Sequence, residues 1–183
     1  MTQKAFWNLH VPGCDEHLLV HKMRGDVSFV PELSWVAEYK EKIIGAIYYA
    51  RAKVIEGKTE TEVLIFGPLC VEPEFQKQGV GGKLLKKTIS IARELGFKAI
   101  IIYGEPEYYP RHGFVTCDQF GITTPDGENF DAFMGLELVP DALANVVGKF
   151  YEPQVYHDLP KAEVEEYNKK FPYMEKLVLP GQL

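Results

Sequence analysis

The stretch Val71-Glu72-Pro73-Glu74-Phe75-Gln76-Lys77-Gln78-Gly79-Val80-Gly81-Gly82-Lys83-Leu84-Leu85 crowds three glycines against the start of a helical pattern. Glycines ahead of a helix let the backbone turn so that successive N–H groups point into one concavity. The helix N-terminus adds roughly half a positive charge. Such a loop suits an anion, and a pyrophosphate is the natural occupant. Two other glycine motifs fail here. A P-loop would need glycine in place of Lys77 and Ser or Thr in place of Leu84, and the dinucleotide fingerprint would need a third glycine at Leu84. What stands is Gln76-x-x-Gly79-x-Gly81, with Val80 and Gly82 between and after.

Other chemistry-bearing residues carry less. Cys14-x-x-His17-x-x-x-His21 would gather three ligands near one helix face, as metal sites do, yet no fourth ligand lies nearby. A surface helix with incidental histidines fits better, and no metal is expected. Cys70 could act as a nucleophile, but no histidine is tied to it, and a buried strand cysteine is the commoner case. Tyr108 and Tyr109 could be packing aromatics or, for Tyr109, a proton donor. Glu62, Glu72 and Glu105 flank the strands near the loop, and none stands out as a base.

Composition bounds the class. The chain has 183 residues, 20 basic against 26 acidic, a net charge of −6, 46% hydrophobic and 25% charged residues. That is ordinary for a globular domain with a sizeable core. The acidic balance argues against nucleic acid as a partner. The longest apolar run, Ala99 to Tyr103, is far below the ~20 residues of a membrane helix, so no membrane partner is expected. His10, Asp15 and Glu16 interrupt the N-terminus before a signal-peptide core could form. Three cysteines, Cys14, Cys70 and Cys117, are an odd and widely spaced set, which points to a reducing compartment and a cytoplasmic location.

The elements that must position the loop follow from periodicity. Asp15 to Arg24 has helix-forming composition, closed by Gly25. Trp35–Tyr39 and Ile43–Arg51 form a hairpin around Lys40-Glu41-Lys42. A run from Glu62 to Val71 is strand-like, with Gly67-Pro68 expected to interrupt it as a bulge or splayed edge. Leu84, Leu85, Thr88, Ile89, Ala92 and Leu95 fall on one helix face, and Gly96 ends that helix. Ala99–Tyr103 reads as a strand buried on both faces. Strand, helix and strand in this order form a right-handed crossover with parallel strands. A helical turn near Glu107–His112, a strand over Asp131–Leu138 and a tail helix over Lys161–Lys170 complete an α+β pattern. The domain is expected over 1–150. A Pro-punctuated, aromatic-rich extension over 151–183 either packs on it or provides a homodimer surface.

In this setting the loop resembles the acetyl-CoA pyrophosphate loop of the GNAT N-acetyltransferase superfamily, with its Gln/Arg-x-x-Gly-x-Gly/Ala signature. The segment Tyr109-Pro110-Arg111-His112-Gly113-Phe114 resembles that family's Tyr-x-x-x-Gly-Phe element. The resemblance covers roughly Phe6 to Tyr151 and is most specific from Phe66 to Phe114. It implies a mixed central sheet, antiparallel at the N-terminal strands and parallel in the middle, flanked by helices, with splayed strands forming an acyl-CoA cleft. It implies that backbone groups of Leu69, Cys70 and Val71 pair with the pantetheine arm, and that Gln76, Lys77, Gln78, Gly79, Val80, Gly81 and Gly82 hold the pyrophosphate. Tyr109 is then the acid that protonates the departing thiolate, in direct acetyl transfer to the amine of a small molecule or peptide. The sequence departs from the family pattern at its first helix, because little helical sequence precedes Pro12. A non-catalytic acyl-CoA sensor or partner-docking module of the same fold is the alternative. A nucleotide-phosphate binder is a third, disfavoured because no hydroxyl follows Lys83 to meet magnesium.

Overall fold

The computed structural model describes residues 1–182. Its helices are α1 (Thr2–Phe6), α2 (Glu16–Met23), α3 (Val80–Glu94) and α4 (Lys161–Asn168). Its strands are β1 (Trp35–Tyr39), β2 (Lys42–Glu56), β3 (Thr59–Val71), β4 (Ala99–Tyr103), β5 (Val115–Thr116), β6 (Ile122–Thr123), β7 (Phe133–Glu137) and β8 (Gly148–Tyr151). The strands form one mixed sheet ordered β5-β7-β4-β3-β2-β8-β6, with β1 paired to β2 off this path. The α+β class and the parallel crossover both hold, since β3 and β4 are parallel through Leu64 and Ile100.

The residues divide into two compact units. The first comprises 1–48, 68–84 and the chain from 154 onward; the second comprises 49–67 and 85–153. The boundaries fall inside β2, β3 and α3, and on β3 they separate Gly67 from Pro68.

In the first unit, β1 and the start of β2 form the expected hairpin, with Tyr39 opposite Lys42. Lys40 and Glu41 both take left-handed φ angles of 48° and 62°, the turn that matches strand twist although neither residue is Asn or Gly. Leu19, Val20 and Met23 of α2 pack with Ala46, Tyr48, Cys70 and Val155. The first helix is short, five residues only. Tail aromatics cover this core: the ring of His17 lies 5.4 Å from that of Tyr167 and 5.3 Å from that of Phe171. Tyr173, by contrast, is 90% exposed.

In the second unit, β4 pairs antiparallel with β7 from Ala99–Glu137 to Tyr103–Phe133. The end of α3 is closed as its sequence predicts. Gly96 has φ +85°, its N–H donates to the Arg93 carbonyl and the Phe97 N–H to the Ala92 carbonyl, a Schellman motif. The strand β3 is one run from Thr59 to Val71 across Gly67-Pro68, and its pairing with β4 is through Leu64 and Ile100. Two expectations need correction. Gly81 and Gly82 lie within the first turn of α3 rather than in a turn ahead of it. Tyr103, expected inside, is 39% exposed, because it is the last residue of β4. The short strands β6 and β8 carry no legible periodicity and are missed by the sequence reading.

Candidate active site

The loop residues lie together in the first unit. Leu69, Cys70 and Val71 are the last residues of β3. The chain then makes a 3-10 turn, Pro73–Phe75, fixed by the Phe75 N–H donating to the Glu72 carbonyl at 2.8 Å. The Glu72 N–H donates to Ile44 on β2 at 2.8 Å, which anchors the loop to the sheet. The Gln76 amide reaches back to donate to the Val71 carbonyl at 3.1 Å, and the Gln78 amide donates to the Glu74 carbonyl at 2.9 Å. Gln76 is therefore a strut of the loop, tying its exit to the strand end. Lys77 (φ 59°) and Gly79 (φ 82°) make the left-handed turns that aim the chain into α3. The first intrahelical bond runs from the Lys83 N–H to the Gly79 carbonyl at 3.0 Å. The amides of Val80, Gly81 and Gly82 precede that bond, so they are the helix-end donors that an anion can accept from. The helix start is seated on β2 at Gly45, where a Cβ would lie 2.9 Å from Val80 Cγ1 and 3.1 Å from Leu84 Cδ1.

The Cys70 thiol takes no part in this arrangement. It is buried among Thr2 Oγ1 and Met1 Sδ at 3.5 Å and the Ala46 carbonyl at 3.7 Å, and burial raises its pKa. Cys14 and His17 do meet, Sγ to Nδ1 at 3.5 Å, but His21 instead stacks on Tyr167 at 4.9 Å. Among the described residues no group of three or more His, Cys, Asp or Glu could hold a metal ion.

Tyr109 stands in the second unit at the start of a 3-10 turn, Tyr109–His112. Its ring is held by Phe66 at 5.7 Å, Phe114 at 5.6 Å and Tyr108 at 5.1 Å. Phe66 in turn packs on Tyr49 at 5.2 Å, whose hydroxyl meets Thr88 Oγ1 of α3 at 2.9 Å. Gly113 (φ +92°) closes the turn, so the Tyr-x-x-x-Gly-Phe spacing folds the chain back and lets Phe114 reach the Tyr109 ring. Burial, reinforced by Tyr108 and Glu105, pushes the Tyr109 phenol well above its ordinary value. Its hydroxyl therefore keeps its proton across the physiological range. Of the carboxylates considered as bases, Glu62 is paired with Arg51 at 2.7 Å and Glu72 with Lys4 at 3.5 Å. The Glu105 carbonyl accepts from the Tyr108 and Tyr109 N–H groups at 2.9 and 3.2 Å.

The sequence reading misses Gly104 and Glu152. A Cβ on Gly104 would lie 2.4 Å from Tyr109 Cε2. A Gly directly after a buried strand was the available signal. Glu152 is a carboxyl raised by burial to about 7, and nothing in the local sequence marks it.

A mixed sheet with a parallel crossover, a glycine-bearing turn leading into the crossover helix and a tyrosine after the second strand define the GNAT class of fold. Residues 31–116 match the family model described as "Acetyltransferase (GNAT) domain". That match covers just under half of the chain. The chain is similar to the uncharacterized N-acetyltransferase YjhQ of Escherichia coli (strain K12), 39% identical over 54% of this chain and 55% of that protein. It therefore spans about half the length of that relative. It is 28% identical to the uncharacterized N-acetyltransferase YhbS of the same organism, over 73% of this chain and 78% of that one. The crystal structure of YhbS in complex with CoA has a TM-score of 0.74 at 23% identity, covering 86% of each chain. A GNAT family acetyltransferase of Brucella melitensis in complex with acetyl-CoA has a TM-score of 0.68 at 24% identity, covering 85% of this chain and 86% of that one. At these identities the two structures establish the fold.

Proposed function

We propose that the chain is an N-acetyltransferase that moves an acetyl group from acetyl-CoA to the amine of a small molecule or peptide by direct transfer. The observation that carries this reading is the strand-anchored loop from Gln76 to Gly82, whose α3 donors suit a pyrophosphate, within a region that matches the GNAT acetyltransferase model. In this reading Leu69, Cys70 and Val71 offer backbone groups to the pantetheine arm, and Gln76, Lys77, Gln78, Gly79, Val80, Gly81 and Gly82 hold the pyrophosphate. The neutral amine nitrogen attacks the thioester carbonyl, a C–N bond forms, the C–S bond breaks, and the proton that the nitrogen sheds passes to water, from which Tyr109 is reprotonated once it has served the thiolate. The thiolate takes the Tyr109 hydroxyl proton, which burial keeps in place until that moment, and holding the reactants together supplies much of the rate. Three buried free thiols, Cys14, Cys70 and Cys117, support a reducing, cytoplasmic location.

Thermal unfolding with saturating acetyl-CoA and an amine panel read by thiol release test the reading together. A raised melting temperature with amine-dependent thiol release is expected. Stabilisation without turnover on any amine would leave the acyl-CoA sensor instead, and no stabilisation would remove both.

A further inference from the structure

Three side chains of the first unit gather where the β1–β2 turn meets the loop that leads into α3. Tyr39 ends β1 and stands opposite Lys42 across the turn. Its ring lies 5.8 Å from that of Phe75, inclined at 60°, and the Lys40 ammonium sits 5.2 Å over it. Phe75 is the last residue of the 3-10 turn and directly precedes Gln76. Tyr39 is 50% exposed and Phe75 half-buried. Backbone bonds fix the meeting. The Glu72 N–H donates to the Ile44 carbonyl and the Phe75 N–H to the Glu72 carbonyl, each at 2.8 Å, so the loop is pinned to the strand that follows the turn. Lys40 and Glu41 make that turn with left-handed φ angles.

A single exposed aromatic is ordinary on a protein surface. Two rings from separate segments, with a cation over one of them, make a platform of the kind on which a base stacks. The chain sets the place. Phe75 enters the loop whose α3 donors suit a pyrophosphate, and in acetyl-CoA one ribose separates the pyrophosphate from an adenine and a 3′-phosphate. The cation–π contact of Lys40 is weak at an exposed position, whereas a phosphate gives the same ammonium a charge-assisted partner. Glu41 and Glu74 adjoin Lys40 and Phe75 in the chain, so a phosphate here depends on Lys40 itself rather than on a general positive field.

Resting on the acetyltransferase reading, we propose that Tyr39, Phe75 and Lys40 form the subsite for the adenosine 3′-phosphate end of acetyl-CoA. The adenine stacks on Tyr39 with Phe75 as a side wall, and Lys40 leaves the Tyr39 ring to pair with the 3′-phosphate. The hairpin turn thereby becomes part of the co-substrate site. It lets the chain distinguish acetyl-CoA from thioesters of the bare pantetheine arm. This is a binding step, in which no covalent bond is made or broken.

The test titrates wild type and variants calorimetrically with CoA, with 3′-dephospho-CoA, with 4′-phosphopantetheine, which lacks the adenosine, and with adenosine 3′,5′-bisphosphate, which lacks the arm. Tyr39→Leu and Phe75→Leu keep apolar bulk without a ring. Each should weaken CoA about fivefold to fiftyfold, the range for losing a base–ring stack, and leave 4′-phosphopantetheine unchanged. Tyr39→Phe keeps the ring and should bind CoA within about twofold of wild type. Wild type should prefer CoA to 3′-dephospho-CoA by about threefold to tenfold, and Lys40→Met should abolish that preference. Adenosine 3′,5′-bisphosphate should bind weakly and compete with CoA. An unaltered ratio of CoA to 4′-phosphopantetheine in both leucine variants, a CoA preference that survives Lys40→Met, or a bisphosphate that binds without displacing CoA overturns this inference. CoA binding that stays intact beside those results sinks the subsite alone. Wild type that binds neither CoA nor 4′-phosphopantetheine counts instead against the acetyltransferase reading.

Discussion

The ring of Tyr109 fills the space beside Gly104 that any other residue's Cβ would need, with Cε2 only 2.4 Å from that position. The candidate acid is thus located by a missing side chain on the strand end as much as by the aromatic rings around it. Gly104→Ala should push the Tyr109 ring out of its seat, at a cost of about 1–3 kcal/mol for overpacking. The melting temperature should fall modestly. Turnover should drop about tenfold or more, since small misplacements of a reacting group are expensive, while acetyl-CoA affinity stays near wild type. Unchanged turnover would show that the acid's position tolerates the shift and would weaken its assignment.

Tyr109→Phe removes only the hydroxyl and keeps the contacts to Phe66, Phe114 and Tyr108. The chemical step should slow by roughly tenfold to a thousandfold, in kcat rather than in the KM for acetyl-CoA. Full activity under conditions where chemistry limits the rate would make Tyr109 a packing residue.

Gly81 lies in the first turn of α3. A glutamate there suits the helix dipole, so Gly81→Glu should fold with its melting temperature unchanged or slightly raised. The same charge and bulk oppose a bound pyrophosphate. Loss of the acetyl-CoA melting shift in an otherwise stable variant is the expected result, and a normal shift would mean the pyrophosphate is held elsewhere.

Glu152 makes stability depend on pH. Its carboxyl titrates at about 7 when folded, against an ordinary value of 4.5. Between those values the folded chain holds the proton and the unfolded chain has released it, so stability falls as pH rises through this window and stays lowered above it. Glu16, also raised to about 7 by burial, acts in the same direction in wild type and variant alike. Glu152→Gln should therefore melt with wild type at about pH 4 and above it at about pH 8. An equal difference at both pH values would mean that burial does not hold the carboxyl protonated.

Gly96 has φ +85°, and a Cβ placed there would meet nothing within 4 Å. The cost of Gly96→Ala is thus purely conformational, about 1 kcal/mol, or a melting temperature lower by about 2–4 °C for a chain of this size. Activity should be unaffected.

The local elements of this protein were set by residues close together in the chain. The apolar spacing from Leu84 to Leu95 with Gly96 beyond it determines α3 and its end, and Ala99–Tyr103 determines β4 to the residue. Gln76-x-x-Gly79-x-Gly81 determines where an anion can meet helix-end donors, and the Tyr109–Phe114 spacing marks the turn that carries the candidate acid. These were legible because hydrogen bonding within a helix, turn preference and φ restriction act over a few residues. Other features depend on partners far away in sequence. Tyr103 belongs to a continuous apolar run, yet its exposure and aromatic neighbours were decided when β7 and β8 brought Phe133 and Phe150 to it. The Glu152 carboxyl, in a Pro-flanked segment of ordinary composition, had its proton affinity fixed only by the burial that folding imposes. Desolvation is a property of the assembled surroundings, and only the tertiary structure could supply it.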